Sequence, residues 1–149
     1  MKRRSEIQLT PEEQRAFLRE QRKCALATIG PDGFPHLVAM NYACVDGAYV
    51  MTSYGKAQKV LNIRREPRVA VMIEAGKNYA ELRGIMVRGR CEILEGGEAV
   101  QAAFRAMAEA RGETYAPRAS GSSAPKRVVL KVVPEKTLSW DHRKLGGTY

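Results

Sequence analysis

The stretch PHLVAMNYACVDGAYVMTSYGKAQKVLNIRREPRVAV, residues 35–71, decides the fold of this chain. It opens with an apolar run, Leu37 to Cys44, that is long enough to cross a small barrel as a β-strand. Asp46-Gly47 follows, a dipeptide typical of the two-residue turn that closes a hairpin. A second strand is predicted over residues 48–52, so the stretch begins as a β-hairpin.

A short basic helix is predicted after the hairpin, over residues 57–65, and it ends before Pro67, whose ring disfavours helix at the preceding residue. Lys56 and Lys59 stand at its start and, three residues apart, share one face. Cations are disfavoured at the positive end of the helix dipole. Two lysines beside the free N–H groups of a helix start therefore indicate an anion site, most simply for a phosphate. Two solvated surface lysines are the alternative interpretation.

The stretch resembles the pyridoxamine-phosphate-oxidase-like split-barrel flavoproteins and their deazaflavin-dependent relatives. The matching pieces are His36-Leu37-Val38-Ala39-Met40-Asn41, Met51-Thr52-Ser53, and Lys59 within the segment that runs to Arg68. The resemblance covers nearly the whole chain. It implies a mainly β fold with helices (α+β): a six-stranded antiparallel split β-barrel of the FMN-binding type with helices outside, one domain over residues 1–149, and a dimer.

The resemblance further implies a bound flavin-type cofactor, FMN or alternatively the deazaflavin coenzyme F420. Backbone groups of residues 38–40 would line the ring, Thr52 and Ser53 would bond the ribityl chain or phosphate, and Lys59 with Lys56 would pair with the phosphate. An aromatic and a basic residue of the tail would reach the site across the dimer. The implied cofactor-binding residues are His36, Leu37, Val38, Ala39, Met40, Asn41, Met51, Thr52, Ser53, Lys56, Gln58, Lys59, Trp140 and Arg143.

Two departures separate this chain from the oxidase proper. His36 and Asn41 stand where the oxidase has basic residues, and Gln58 stands where it has an arginine before the phosphate-binding lysine. The phosphate site is therefore altered, and true pyridoxamine phosphate oxidase activity is not expected. Trp140 has an alternative interpretation as a residue that caps the edge of the core.

The other predicted elements flank this stretch. Residues 1–8 are expected to be a loose arm, and Thr10-Pro11-Glu12-Glu13 is typical of a helix start, here of a helix over residues 11–22. The apolar stripe of a second long helix, residues 98–111, is interpreted as packing on the barrel, with a partner helix groove as the alternative. The remaining strands are predicted at residues 23–30, 68–74, 80–94, with Gly84 and Gly89 as bulges or bends, and 127–133.

Composition narrows the function classes. The chain has 149 residues and a net charge of +9, but its basic residues are dispersed and no nucleic-acid-reading motif accompanies them. Positive potential would also serve an anionic cofactor and an anionic substrate. Two histidines far apart in sequence give no zinc spacing, so no metal site is predicted. The three cysteines are scattered and the sequence shows no secretory signal, which predicts a cytoplasmic protein. Because no apolar run is long enough to span a bilayer, the protein is not expected to be embedded in a membrane.

Three hypotheses follow. The first is a flavin- or deazaflavin-dependent oxidoreductase that transfers hydride to or from a small organic substrate, a homodimer with cofactor at its interface. No catalytic side chain is assigned, since the cofactor carries the chemistry. The second is a non-catalytic binder of FMN or another phosphorylated ligand. The third is a basic nucleic-acid-binding barrel.

Overall fold

The computed structural model describes residues 2–117 and 126–147, and its main feature is one antiparallel sheet curled into a half-barrel. The described strands lie in the order β2-β1-β5-β6-β7-β4-β3. They are β1 Lys23–Ile29, β2 Pro35–Asn41, β3 Ala43–Val45, β4 Ala48–Tyr54, β5 Arg68–Ala75, β6 Arg83–Leu94 and β7 Arg127–Asp141. The helices are α1 Lys2–Glu6, α2 Pro11–Glu20, α3 Gln58–Arg65 and α4 Gly97–Ala110, with 3₁₀ turns at Tyr79–Glu81 and His142–Leu145. The predicted mainly β split barrel with outer helices is confirmed.

The predicted number of six strands is wrong, because the described part of the chain forms seven. The long apolar run divides at Tyr42, which turns into the core and is only 4% exposed. Its hydroxyl donates to the Leu18 carbonyl at 2.7 Å, and its backbone N–H donates to the Arg22 carbonyl at 3.2 Å. β2 before it pairs with β1 at one edge of the sheet, while β3 after it pairs with β4 at the other. The run therefore passes from one sheet edge to the opposite one and helps to curl the sheet.

The hairpin between β3 and β4 forms as predicted. Asp46 and Gly47 both adopt positive φ, 49° and 81°, and Val45 lies opposite Ala48. Two central residues with positive φ define a type I′ turn, whose twist matches that of the flanking strands.

The core fills the concave side of the sheet. After Phe17 of α2, its largest fully buried residues come from five different strands: Leu26, Met51, Ile73, Ile85 and Leu130. Burying each such side chain contributes about 1.5–3 kcal/mol relative to leaving it exposed. α3 adds Val60 and Ile63 to this cluster, whereas α4 packs Val100 and Ala103 on the opposite face, against Val50 of β4 and Val129 of β7. The sheet is thus covered differently on its two sides.

The final strand is longer than predicted. β7 continues through Asp141 rather than ending at residue 133, and it pairs with β6 over its whole later part. A bulge falls between Arg88 and Gly89, where an added Cβ would lie 2.1 Å from the Val133 carbonyl oxygen. The irregularity predicted at Gly89 is therefore confirmed.

The N-terminal segment is held in place, which corrects the expectation of a loose arm for its described part. The backbone N–H of Asp141 donates to the Ile7 carbonyl at 2.7 Å, and the Leu9 N–H donates to the Ser139 hydroxyl at 3.0 Å. The extended end of β7 supplies these partners. None of the described helices has the length and apolar character needed to cross a lipid bilayer.

Candidate functional site

The start of α3 offers unsatisfied donors. The N-cap residue Ala57 has no side chain that could cap the helix, and the first intrahelical bonds run from Val60 and Leu61 to the Ala57 carbonyl. The N–H groups of Gln58 and Lys59 are therefore left without an intrahelical partner. Lys56 is exposed and Lys59 is partly buried, and neither ammonium forms an ion pair with any residue in the described ranges.

A chain of hydrogen-bonded polar side chains connects this helix start to β1. Gln58 Nε2 donates to Asn62 Oδ1 at 2.8 Å, and Asn62 Nδ2 donates to Thr28 Oγ1 at 3.0 Å. Asn62 is fully buried, and Thr28 lies directly opposite His36 in the β1–β2 pair. The Nδ1 atom of His36 is buried and has no hydrogen-bond partner among the described residues. The fold therefore brings two of the sequence-predicted residues, His36 and Gln58, to the same end of the barrel.

Strand alternation divides the other predicted residues between two faces. On β4, Met51 is fully buried in the core, Ser53 is 4% exposed and donates to the Tyr54 carbonyl, and Thr52 between them faces outward. On β2, Leu37, Ala39 and Asn41 are exposed, while His36, Val38 and Met40 are partly buried. Thr52 and Ser53 therefore do not face the same space, since side chains of successive strand residues point to opposite faces.

Four of the predicted residues line one cavity of about 630 Å³, here called the α4 cavity. They are Ala39, Met40, Asn41 and Thr52. The rest of the lining comes from α4, the segment that follows it and the start of β7: Gln101, Phe104, Met107, Ala108, Arg111, Glu113, Thr114, Tyr115, Ala116 and Arg127. Sequence reasoning missed this part of the lining because it favoured packing on the barrel, over a partner helix groove, for the apolar stripe of α4. The available signal was a stripe carrying Phe104 that ends in a basic residue, Arg111.

His36 and the α4 cavity lie toward opposite ends of β2. His36 and Asn41 are five positions apart, which corresponds to about 16 Å along an extended strand. A ligand in contact with both the α3 start and this cavity would have to lie extended along the strand. Such a shape suits a molecule with a phosphate at one end and a ring at the other.

Trp140 and Arg143 lie elsewhere within a single chain. Trp140 lines a second cavity, of about 660 Å³, with residues of the N-terminal segment, among them Ile7 and Leu9. Arg143 donates to both carboxylate oxygens of Asp141, Nε to Oδ1 at 2.9 Å and Nη2 to Oδ2 at 2.7 Å. This guanidinium holds the pKa of Asp141 below its ordinary value of 3.8. Neither tail residue shares the α4 cavity or the α3 start in the same chain.

The outer face of the sheet carries exposed apolar side chains. Across the sheet, Leu37 pairs with Ala27, and Ala27 pairs with Ala70. Two residues further along β5 on the same face, Met72 pairs with Met86, and Met86 pairs with Leu138. Leu37 is 70% exposed, Met72 40% and Leu138 39%. These six residues, called the outer-face patch below, form an apolar surface on the side of the sheet away from the core.

The geometry and the sequence agree with one protein family. A family model described as pyridoxamine 5'-phosphate oxidase matches residues 10–141, and the chain belongs to this family of split-barrel proteins. No functionally curated protein matches the chain.

Three solved structures show the same fold. A conserved hypothetical protein from Mycobacterium tuberculosis is 38% identical, with a TM-score of 0.85 over 98% of this chain and 93% of its own. An F420 reductase is 26% identical, with a TM-score of 0.69 over 86% of this chain and 98% of its own. A FAD-binding protein from Mesorhizobium loti is 24% identical, with a TM-score of 0.66 over 88% of this chain and 94% of its own.

Proposed function

We propose that this protein is an oxidoreductase that uses a bound flavin-type cofactor, with the cofactor phosphate at the start of α3. The observation that carries the proposal is the pair of lysines, Lys56 and Lys59, beside free helix N–H groups and without a carboxylate partner in the described chain. A helix start of this kind favours an anion, and a phosphate meets both the hydrogen-bonding and the charge requirement. Membership of the family makes a flavin-type cofactor the natural source of that phosphate.

The residues present fit such a cofactor. The buried Nδ1 of His36 has no described partner and lies at the α3 end of β2, while the Oε1 atom of Gln101 is a buried acceptor without a described partner in the wall of the α4 cavity. A buried polar atom left unpaired costs about 1–3 kcal/mol, so a ligand that supplies partners at both ends would gain that free energy.

When bound, the cofactor would supply the hydride transfer itself. The chain's own contribution is binding and orientation. Lys56, Lys59 and the α3 N–H groups would hold the phosphate, and Thr52 with the backbone of β2 would orient the ring. Met40 and Phe104 would exclude water from the cavity beside it.

We favour FMN, with F420 as the second candidate because an F420 reductase shares the fold at 26% identity. The acidic extension of F420 would call for further cations near α3. Arg64 and Arg65 at the end of α3 are already engaged, Arg64 with Glu95 at 2.5 Å and Arg65 with the Ile29 carbonyl. Because both arginines already have partners, they do not favour binding of the acidic extension of F420. FMN, with its single phosphate, fits the site more simply.

The proposal includes a homodimer with two cofactor sites at its interface, a small organic substrate, a cytoplasmic location and one domain over residues 1–149. The outer-face patch supports the dimer, because a partner would remove exposed Leu37, Met72 and Leu138 from water. In such a dimer Trp140 and Arg143 would reach the cofactor of the other protomer. Specific nucleic-acid binding is not part of the proposal. Sequence-selective binding that survives physiological salt would favour the nucleic-acid hypothesis instead.

A non-catalytic binder is the alternative function. The Mesorhizobium loti relative is described by its binding of FAD, without a reaction, and shares this fold. Turnover separates the two possibilities. If the protein is an enzyme, an organic acceptor would reoxidise the reduced cofactor bound to it. If the protein is only a binder, the reduced cofactor would stay bound without transferring hydride.

The test is a titration of the purified protein with FMN and with F420, compared between wild type and Lys59→Ala. We expect the variant to lose roughly 1.5–3 kcal/mol of binding free energy, about tenfold or more in Kd, which is the usual cost of losing a hydrogen bond to a charged group. Lys77→Ala, which removes an exposed lysine from the loop before β6, is the matched control and should leave Kd unchanged. Equal affinity of wild type and Lys59→Ala would remove Lys59 from the site.

A further inference from the structure

Arg127, the first residue of β7, is held between two aromatic rings at the α4 cavity. Its guanidinium carbon lies 4.4 Å from the centre of the Tyr54 ring and 5.7 Å from the centre of the Phe104 ring. One ring belongs to β4 and the other to α4, so the side chain is positioned by two elements at once. Cation–π contacts of this kind hold a guanidinium by its faces and leave its N–H edges available.

No carboxylate in the described ranges satisfies those N–H groups. The ion pairs of the described chain do not include Arg127, nor do they include Arg111, which lines the same cavity. The acidic residue of the lining, Glu113, approaches Arg22 at 3.9 Å. The cavity wall therefore carries two cations, Arg111 and Arg127, and one carboxylate, Glu113, which already has a partner.

Part of the remaining lining is apolar, beside the polar residues Asn41, Thr52, Gln101 and Thr114. Phe104 and Met107 on α4 face a space that Ala39 and Met40 of β2 close from the other side. A guanidinium fork binds a carboxylate or phosphate through two parallel hydrogen bonds. The complement of this cavity is a small molecule with a flat apolar part and one anionic group.

We propose that Arg127 is a specificity-determining residue that binds the carboxylate or phosphate of an anionic ligand in the α4 cavity. If the ligand is the substrate, which rests on the proposed function, Arg127 defines the substrate class: small organic anions with a planar apolar body. The same anionic chemistry could belong to the cofactor, and the experiment below separates the two sources.

The test uses benzoate as the probe and benzamide as its neutral partner of similar shape, each titrated calorimetrically into the purified full chain without cofactor. We expect benzoate to bind at least tenfold more tightly than benzamide. Arg127→Gln should abolish that preference, and Arg127→Lys, which keeps the charge but loses the fork, should retain only part of it. Arg105→Gln is the matched control. Arg105 also stacks over a ring, that of Tyr115 at 5.4 Å, but does not line the cavity.

Repeating the titration on FMN-saturated protein assigns the source of the anion. Retained benzoate binding identifies a substrate anion. Loss of benzoate binding together with weaker FMN binding by Arg127→Gln identifies an anionic group of the cofactor and would move the proposed phosphate site from the α3 start to this cavity. Either result supports Arg127 as the receptor. Equal binding of benzoate and benzamide by wild type, or an unchanged preference in a folded Arg127→Gln variant, would overturn the proposal. Failure of both FMN and F420 to bind would refute the flavin-type cofactor and leave the benzoate result standing, so the two failures are distinguishable.

Discussion

At the residue scale, side-chain direction decided which sequence-predicted residues could act together. Ala39, Asn41 and Thr52 point outward from two strands into one cavity, whose lining Met40 joins from the partly buried face of β2. Met51 and Ser53 point into the core. The sequence identified the right strands, but one segment taken by itself cannot assign their faces. Face assignment needs the register of the neighbouring strands, which is set by pairing across the whole sheet.

A glycine makes room for the only tryptophan. An added Cβ on Gly84 would lie 2.1 Å from Cζ2 of Trp140, so Gly84→Ala must displace the indole. Overpacking of this kind costs typically about 1–3 kcal/mol. We expect a lower urea midpoint and a red-shifted Trp emission, because the ring would become more exposed to water.

Gly97→Ala is the control for that variant. Gly97 is the first residue of α4, and an added Cβ would meet no heavy atom within 4 Å. Its stability should be unchanged or slightly higher, since alanine restricts the unfolded chain more than glycine does. Unaltered emission and stability in Gly84→Ala would show that Trp140 does not lie over this glycine in solution.

At the element scale, local signals were sufficient where the structure depends on neighbours in sequence. The Thr10 hydroxyl accepts from the Glu13 N–H at 3.2 Å and the Glu13 carboxylate accepts from the Thr10 N–H at 2.7 Å, as the predicted helix start requires. The division at Tyr42 and the extension of β7 were not predictable in this way. Both depend on partners far along the chain, such as Leu18 for the Tyr42 hydroxyl and β6 for the end of β7.

The end of β7 supplies an element-scale prediction about pH. Asp141 is 3% exposed and receives two hydrogen bonds from the Arg143 guanidinium, which depress its pKa in the folded state. A depressed pKa contributes stability that is present above the ordinary value of 3.8 and is lost as pH falls through the folded value. Arg143→Ala should therefore lower the free energy of unfolding by roughly 1.5–3 kcal/mol at pH 7.

Urea unfolding of both proteins from pH 7 to pH 3 checks this pattern. The difference between wild type and Arg143→Ala should shrink below pH 3.8, because protonated Asp141 no longer needs the cation. Arg15→Ala, a change at an exposed position of α2, should show no such dependence on pH. A difference that stays constant over the whole range would mean that the ion pair does not contribute through the charge of Asp141.

At the scale of the whole molecule, the exposed outer-face patch predicts self-association. Sedimentation of the wild-type protein should give about twice the mass of the 149-residue chain. Leu37→Glu places a charge on the most exposed residue of the patch and should shift the protein to monomer. Leu94→Glu introduces the same charge at a residue that is 39% exposed but outside the patch, and it should remain dimeric. A wild-type monomer would contradict the interface.

The most direct measurement of flavin-type cofactor binding is the retention of cofactor by the wild-type protein. The purified chain is incubated with FMN or with F420, desalted, denatured and analysed for released small molecule by visible absorption and mass. We expect FMN to be retained in a ratio near one per chain, and its binding to quench the emission of Trp140 in the dimer. A folded protein that retains neither FMN nor F420 would contradict the assignment of the α3 start and the α4 cavity to a flavin-type cofactor.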